Sequence, residues 1–329
     1  IIMGQYTNDK LITTIKSKIL MPSSQVTYSE ADILTIADEE LQVGIVPLIM
    51  TCRDDYFVVA QDQPIGSGPF EYRIPTRAIG TKLKDVVMVD SNNKEYSIPL
   101  ISSSTAPYRS NIFKTYQGLV CFCRNNFLVL QGVAASAPGN MVRLYYFLRR
   151  NKLVPITEGA RIDSIDTVNK QVIVSLLPNT ITLTTLVDII QAQPAFDILA
   201  MDQTITNING LILTFSTLPT ALAIGDFICL AGESVVPQVP VEFHPVLAQR
   251  VAVKLLEALG DAAGSQLART KLQEMEKSTL GMLSQRVEGE AKKIINYFST
   301  LDPSNRFRGF GIAFAGLAGY VAYLLDMLK

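Results

Sequence analysis

The hydrophobic period of this chain changes twice, and that double change limits the folds open to it. Residues 9–50 and 241–296 space their apolar side chains three and four apart, as amphipathic helices do. Between them, residues 56–230 carry short β-branched and aromatic runs separated by turn residues. Helices at the two ends and strands in the middle argue for an α+β chain rather than a parallel sheet with alternating helices.

In the first helical stretch Leu11, Ile12, Ile15 and Ile19 share a face, Lys16 and Lys18 lie off it, and Pro22 with Ser23-Ser24 ends it. Ser29-Glu30-Ala31-Asp32 reads as a capping-box variant opening a second helix, whose apolar face is Ile33, Ile36, Ala37, Leu41 and Ile45 and which stops near Pro47. The first strand group comprises YFVVA (56–60), FEYRI (70–74), DVVMV (85–89), GLVCFC (118–123), FLVLQG (127–132) and MVRLYYFL (141–148). Turn signals separate these runs at 66–69, 91–93 and 137–140, and Asn125-Asn126 marks a tight hairpin. A second group follows at RIDSI (161–165), QVIVSL (171–176), FDILA (196–200), LILTF (211–215) and DFICL (226–230), with one short helix expected over 183–191. Strands at this density predict an antiparallel sandwich or barrel.

After Pro237 and Pro240, Phe243, Leu247, Val251, Leu255 and Leu259 step by four, and Gly260 occupies a C-cap position. A longer helix follows from about Gly264, with Leu267, Leu272, Met275, Leu283 and Val287 among its apolar positions. The stretch 309–325 is uncharged, with Gly311, Ala315 and Gly319 every four residues and Arg306, Arg308, Asp326 and Lys329 at its flanks. That pattern fits a helix packed closely on protein, and its seventeen residues also reach the short limit of a membrane span. The expected organisation is a helical hairpin over 1–50, a β-rich domain over 51–236, a second hairpin over 237–300 and an apolar tail over 301–329. The two hairpins each bury too little alone, so they are expected to pack as one helical bundle with the β region inserted between them.

Twenty-nine basic and thirty acidic residues leave a net charge of −1, which argues against a protein whose main work is gripping a nucleic-acid backbone. Cys52, Cys121, Cys123 and Cys229 are too few and scattered for a disulfide framework; they read as small core residues, with Cys121 and Cys123 on one strand face. No signal-peptide pattern opens the chain, so folding in a reducing cytosol is expected.

Reactive chemistry is sparse. The single histidine, His244, rules out multi-histidine metal sites, and its place between Phe243 and Pro245 at a helix start makes it structural. There is no nucleophile elbow, phosphate-binding P-loop or dinucleotide fingerprint. The carboxylate groups Asp54-Asp55, Asp38 with Glu39-Glu40, and Asp163 with Asp166 read as solvated neighbours, and Arg53, Arg73 and Arg77 as participants in salt bridges between subunits. Neither catalysis nor a cofactor or metal is expected.

Four segments carry a resemblance: LITTIKSKILMPSSQVTYSEADILTIADEELQVGIVPLIM (11–50), FEYRIPTRAIGTKLKDV (70–86), GDFICLAGESVVPQVPVEFHPVLAQRVAVKLLEALGD (225–261) and LQEMEKSTLGMLSQRVEGEAKKIIN (272–296). They are similar to virion structural proteins of tailed bacteriophages found at the head–tail junction. The resemblance implies a connector or adaptor subunit that docks on the portal as a ring of about twelve copies. It meets other tail or connector proteins, lets DNA pass through the lumen, and folds in the host cytoplasm before joining the virion. It further implies that a small helical bundle carries the ring contacts. Phe243, Leu247, Arg250, Gly311, Ala315 and Gly319 are the candidate contacts with a neighbouring copy or the portal. Two alternatives stand beside this reading: an enzyme with a β-rich substrate domain, and a membrane-anchored viral surface protein held by the 309–325 tail.

Overall fold

The structure, a computed structural model, describes residues 6–20, 27–65, 70–101, 119–131, 140–192 and 195–283. These belong to the unit Ile1–Ser284. The turns expected at 66–69 and 137–139, the position Val287 and the 309–325 stretch with Gly311, Ala315 and Gly319 lie outside the described residues.

The described part is α+β, with antiparallel sheets and a closed six-stranded barrel. Three helices come first: α1 (Asn8–Lys18), α2 (Glu30–Glu39) and α3 (Val46–Cys52). Ser29 caps α2 with a reciprocal capping box, its side chain accepting from the Asp32 amide while Asp32 accepts from the Ser29 amide. The second helix does not stop near Pro47. A π-helical turn, Glu40–Ile45, joins α2 to α3, and Pro47 falls in the first turn of α3, a position that proline's fixed φ suits.

The first strand group forms two small sheets packed face to face. One runs in the order β1 (Val58–Pro64), β7 (Met141–Leu148), β3 (Ala78–Val89), β4 (Glu95–Ser97); the other is β2 (Glu71–Arg73), β6 (Phe127–Gln131), β5 (Val120–Arg124). Between them lie Tyr72, Val86, Cys121, Leu128, Leu130, Val142 and Leu144. Asn125, at φ +53°, turns the two-residue hairpin that pairs Arg124 with Phe127.

The second group closes into the barrel β10-β13-β12-β11-β14-β9, formed by β9 (Ala160–Asp166), β10 (Gln171–Val174), β11 (Leu186–Ile190), β12 (Ile198–Asn209), β13 (Ile212–Phe215) and β14 (Phe227–Leu230). Alternate residues fill its interior: Ala160 and Ile162, Val172 and Val174, Val187 and Ile189, Leu213 and Phe215. The short helix expected over 183–191 is instead β11. Its wall of the barrel is covered on the outside as well, where Ile190, Phe227 and Cys229 meet Val154, Val235 and Val236. A strand buried on both faces loses the apolar–polar alternation; here Val187, Ile189 and Ile190 flank Asp188, a pattern that periodicity alone does not distinguish from a helix segment.

A short parallel pair, β8 (Lys152–Leu153) with β15 (Glu233–Ser234), leads from the barrel to the last helices, α4 (His244–Ala258) and α5 (Ala262–Leu283). Gly260, at φ +78°, closes α4 with a Schellman motif: its amide reaches Glu257 O and that of Asp261 reaches Leu256 O. Arg269 pairs with Glu257 and Arg250 with Glu276, so α5 runs back along α4. One core joins Leu11, Ile12 and Ile15 of α1, Ile33 and Ala37 of α2, and Leu247, Val251 and Leu255 of α4, with Leu272 and Met275 of α5 packed against it.

The π-turn has a visible use. It sets Gly44 under the Arg250 guanidinium, which bridges Glu40 Oε2 at 3.1 Å and Glu276 Oε1 at 2.6 Å. A Cβ on Gly44 would stand 2.3 Å from Arg250 Nη1. Gly44→Ala is therefore expected to destabilise the protein by about 1 kcal/mol in urea titrations, by displacing that bridge. In an Arg250→Ala background the same change should be neutral or stabilising, because Ala has the higher helix propensity. Equal effects in both backgrounds would contradict the steric account.

Candidate functional site at the junction of helices, sheet and barrel

The densest polar cluster among the described residues surrounds Asp188, in the middle of β11. Its side chain faces out of the barrel and has no solvent exposure. Arg77, from the β2–β3 connection, clasps it with Nη1 to Oδ2 at 2.7 Å and Nη2 to Oδ1 at 3.1 Å. Asn151 Nδ2 and the Gly232 amide also donate to Oδ2, at 2.7 and 3.0 Å, while the Asp202 amide donates to Oδ1 at 3.0 Å. Asp202 sits at φ +52° on β12, and its carboxylate also receives Arg77 Nη2 at 2.8 Å. One carboxylate therefore ties the small sheet, the barrel and the β8–β15 pair together. Burial works against the charge on Arg77, yet its bonds and attraction to Asp188, with Asp202 beside it, hold its pKa above the usual arginine value.

Arg150 makes a second joint. It is 4% exposed, lies 4.2 Å over the Phe57 ring and reaches Asp197 at 3.3 Å, while its backbone oxygen accepts from Gln42 Nε2. Burial lowers its pKa, with Asp197 opposing.

His244 makes the third. Its ring is sealed between Tyr6 and Phe196, with centroids 4.4 and 4.7 Å away. Nε2 lies 3.1 Å from both Pro237 O and Val239 O. Carbonyl oxygens only accept, so the proton sits on Nε2 and the ring pins the proline-rich approach to α4. Nearby, Asn8 donates its amide to Val235 O and its Nδ2 to Val154 O and Ser234 O, stitching the start of α1 to β8–β15.

The residues singled out from the sequence divide accordingly. Phe243 and Leu247 have no exposed surface; their side chains are used inside the chain. Arg250 is held by Glu40 and Glu276. Arg77 bridges within the chain rather than between subunits, and Arg53 meets Asp55 at 3.6 Å. Asp54 pairs with Lys84, and Asp166 accepts from the Val168 and Asn169 amides of its own turn. The cysteines are not all core: Cys121 and Cys229 are buried, Cys52 is half-buried and Cys123 is exposed, even though it shares a strand with Cys121. Burial pushes the thiols of Cys121 and Cys229 up to about 12, which leaves both unreactive. Leu267, counted as an apolar position of the last helix, is 75% exposed.

Among the described residues no group of histidines, cysteines and carboxylates has the geometry to hold a metal, and no helix is long and apolar enough to cross a membrane. No protein-family model matches the chain, and none of the curated proteins matches it.

Asp188→Asn removes the charge opposite a half-buried guanidinium while keeping the shape, and about 3–5 kcal/mol of stability should be lost in denaturant unfolding. Arg77→Met should cost less in the Asp188→Asn background than in the parent chain; equal losses in both backgrounds would contradict the assignment.

Burial also depresses the His244 pKa to about 4, with the hydrogen bonds to Pro237 and Val239 opposing. The folded state thus holds the ring neutral where the unfolded chain already binds a proton. Its stabilising contribution is full above about pH 6.5 and falls as pH drops towards 4, by roughly 3 kcal/mol at most. Unfolding curves between pH 7 and 4 should show this slope in the parent chain and lose it in His244→Gln.

Proposed function

We propose that this chain is a structural subunit that assembles with copies of itself into a ring at the head–tail junction of a tailed phage. It meets the portal on one side and other tail or connector proteins on the other, with DNA passing through the lumen. The observation that carries this reading is the helical core: α1, α2 and α4, drawn from opposite ends of the chain, share one interior around Leu11, Ile33 and Leu247. That arrangement agrees with the likeness carried by 11–50 and 225–261, in which two terminal hairpins form the bundle that bears ring contacts. Completing the four-helix bundle through 284–300 belongs to the same proposal.

Two further features support it. The large polar side chains at the junction, Arg77, Asp188, Asn151 and Arg150, hold parts of the chain to one another and do not line up a nucleophile with a base. Val43, Leu267 and Met282 on the helices are 79%, 75% and 71% exposed and are the positions a neighbouring copy would cover in this reading. A net charge of −1 suits a wall past which DNA slides.

Mass photometry on the full chain tests the proposal. A closed species of about twelve times the 36.1 kDa subunit is expected, and Leu267→Glu should shift it towards monomer. A parent chain that stays monomeric or dimeric at micromolar concentration, alone and with portal, would overturn it.

A further inference from the structure

Beyond the buried end of β7, the run Arg149-Arg150-Asn151-Lys152 lies beside the Asp188 joint and lines a cavity of about 310 Å³. Arg77, Arg149, Arg150 and Lys152 line it, with the Gly232 backbone and a single carboxylate, Asp38, opposite them. Asp188 and Asp202 engage Arg77 and Asp197 engages Arg150, which leaves Arg149 and Lys152 as the two cations of the lining with no ion pair among the described residues. These ion pairs hold the Arg77 and Arg150 side chains in place. Arg149 and Lys152 are exposed. Arg150 is 4% exposed, and its Nε has no hydrogen-bond partner. Burial raises the pKa of Asp38, with the Leu153 amide, Gln42 and Lys152 opposing.

We infer that this cavity binds a phosphate-type oxyanion, held by Arg149 and Lys152 at its mouth above the Arg77 and Arg150 guanidinium groups. Arg149 and Lys152 can match several oxygens of one phosphate group at once, and the unpartnered Nε of Arg150 offers a further donor in the same lining. The inference is independent of the ring: it holds for a solitary subunit as well. The bound group would sit where helices, sheet and barrel meet, so its binding would also tighten that joint.

The direct probe is inorganic phosphate, titrated calorimetrically into the full chain against chloride of equal ionic strength. One-site saturable binding is expected, weakened about tenfold or more in Arg149→Ala/Lys152→Ala. Both side chains are exposed, so the fold should survive; if it does not, Arg149→Gln must weaken binding in the same direction. Absent saturation, or equal affinity in the variants, overturns the inference. Succinate binding more tightly than phosphate also overturns it and assigns the cavity to an acidic side chain of a protein. A short DNA duplex supplies the second arm. Binding of both phosphate and DNA that is lost in the variant identifies the source as a nucleic-acid backbone, whereas phosphate binding without DNA binding identifies a free phosphate group.

Discussion

An ionised carboxylate placed where no water reaches it has to find its hydrogen bonds in the protein, and Asp188 finds them in three separate parts of this chain. Arg77 comes from the small sheet, Asn151 and Gly232 from the segments flanking β8 and β15, and the Asp202 amide from β12. The desolvation penalty is large, so a loose arrangement of these parts is not a shallow variation on the native one; it strands a charge. The apolar cores hold each part together, whereas this carboxylate fixes how the parts meet.

The helical core is organised by similar reasoning on a softer scale. Arg250 reaches Glu40 and Glu276 only because the chain widens into a π-turn and carries no side chain at Gly44. Gln249 is shared as well: it accepts from Lys18 at the end of α1 and donates to Ala268 O in α5. Elements far apart in sequence are thus joined by individual long polar side chains laid across apolar packing.

Local signals in the sequence were legible where physics is local. The Ser29 capping box, the Gly260 cap, the Asn125 turn and the stripe Phe243, Leu247, Val251, Leu255 all depend on neighbours within a few residues, and each stands in the structure as read. Leu259, the last step of that stripe, is already half out of the core at 39% exposure. What the sequence concealed was non-local. Nothing near Asp188 announces a partner 111 residues earlier, and β11 hid its strand character because both its faces are covered. Pro47 looked like a stop because a π-turn, which rephases the helix before it, leaves no compositional mark. Phe243 and Leu247 were legible as packing residues, but periodicity does not say whether the packing partner is this chain or the next.

Asn8 holds three groups, Val154 O, Ser234 O and the Val235 carbonyl that takes its amide, and the farthest of these side-chain bonds spans 226 residues. During synthesis the N-terminal segment therefore leaves the ribosome long before its docking site exists. Its native partners are complete only once the chain has been made past the barrel. A chain that ends before α4 lacks the Leu247, Val251 and Leu255 side chains that the helical core requires.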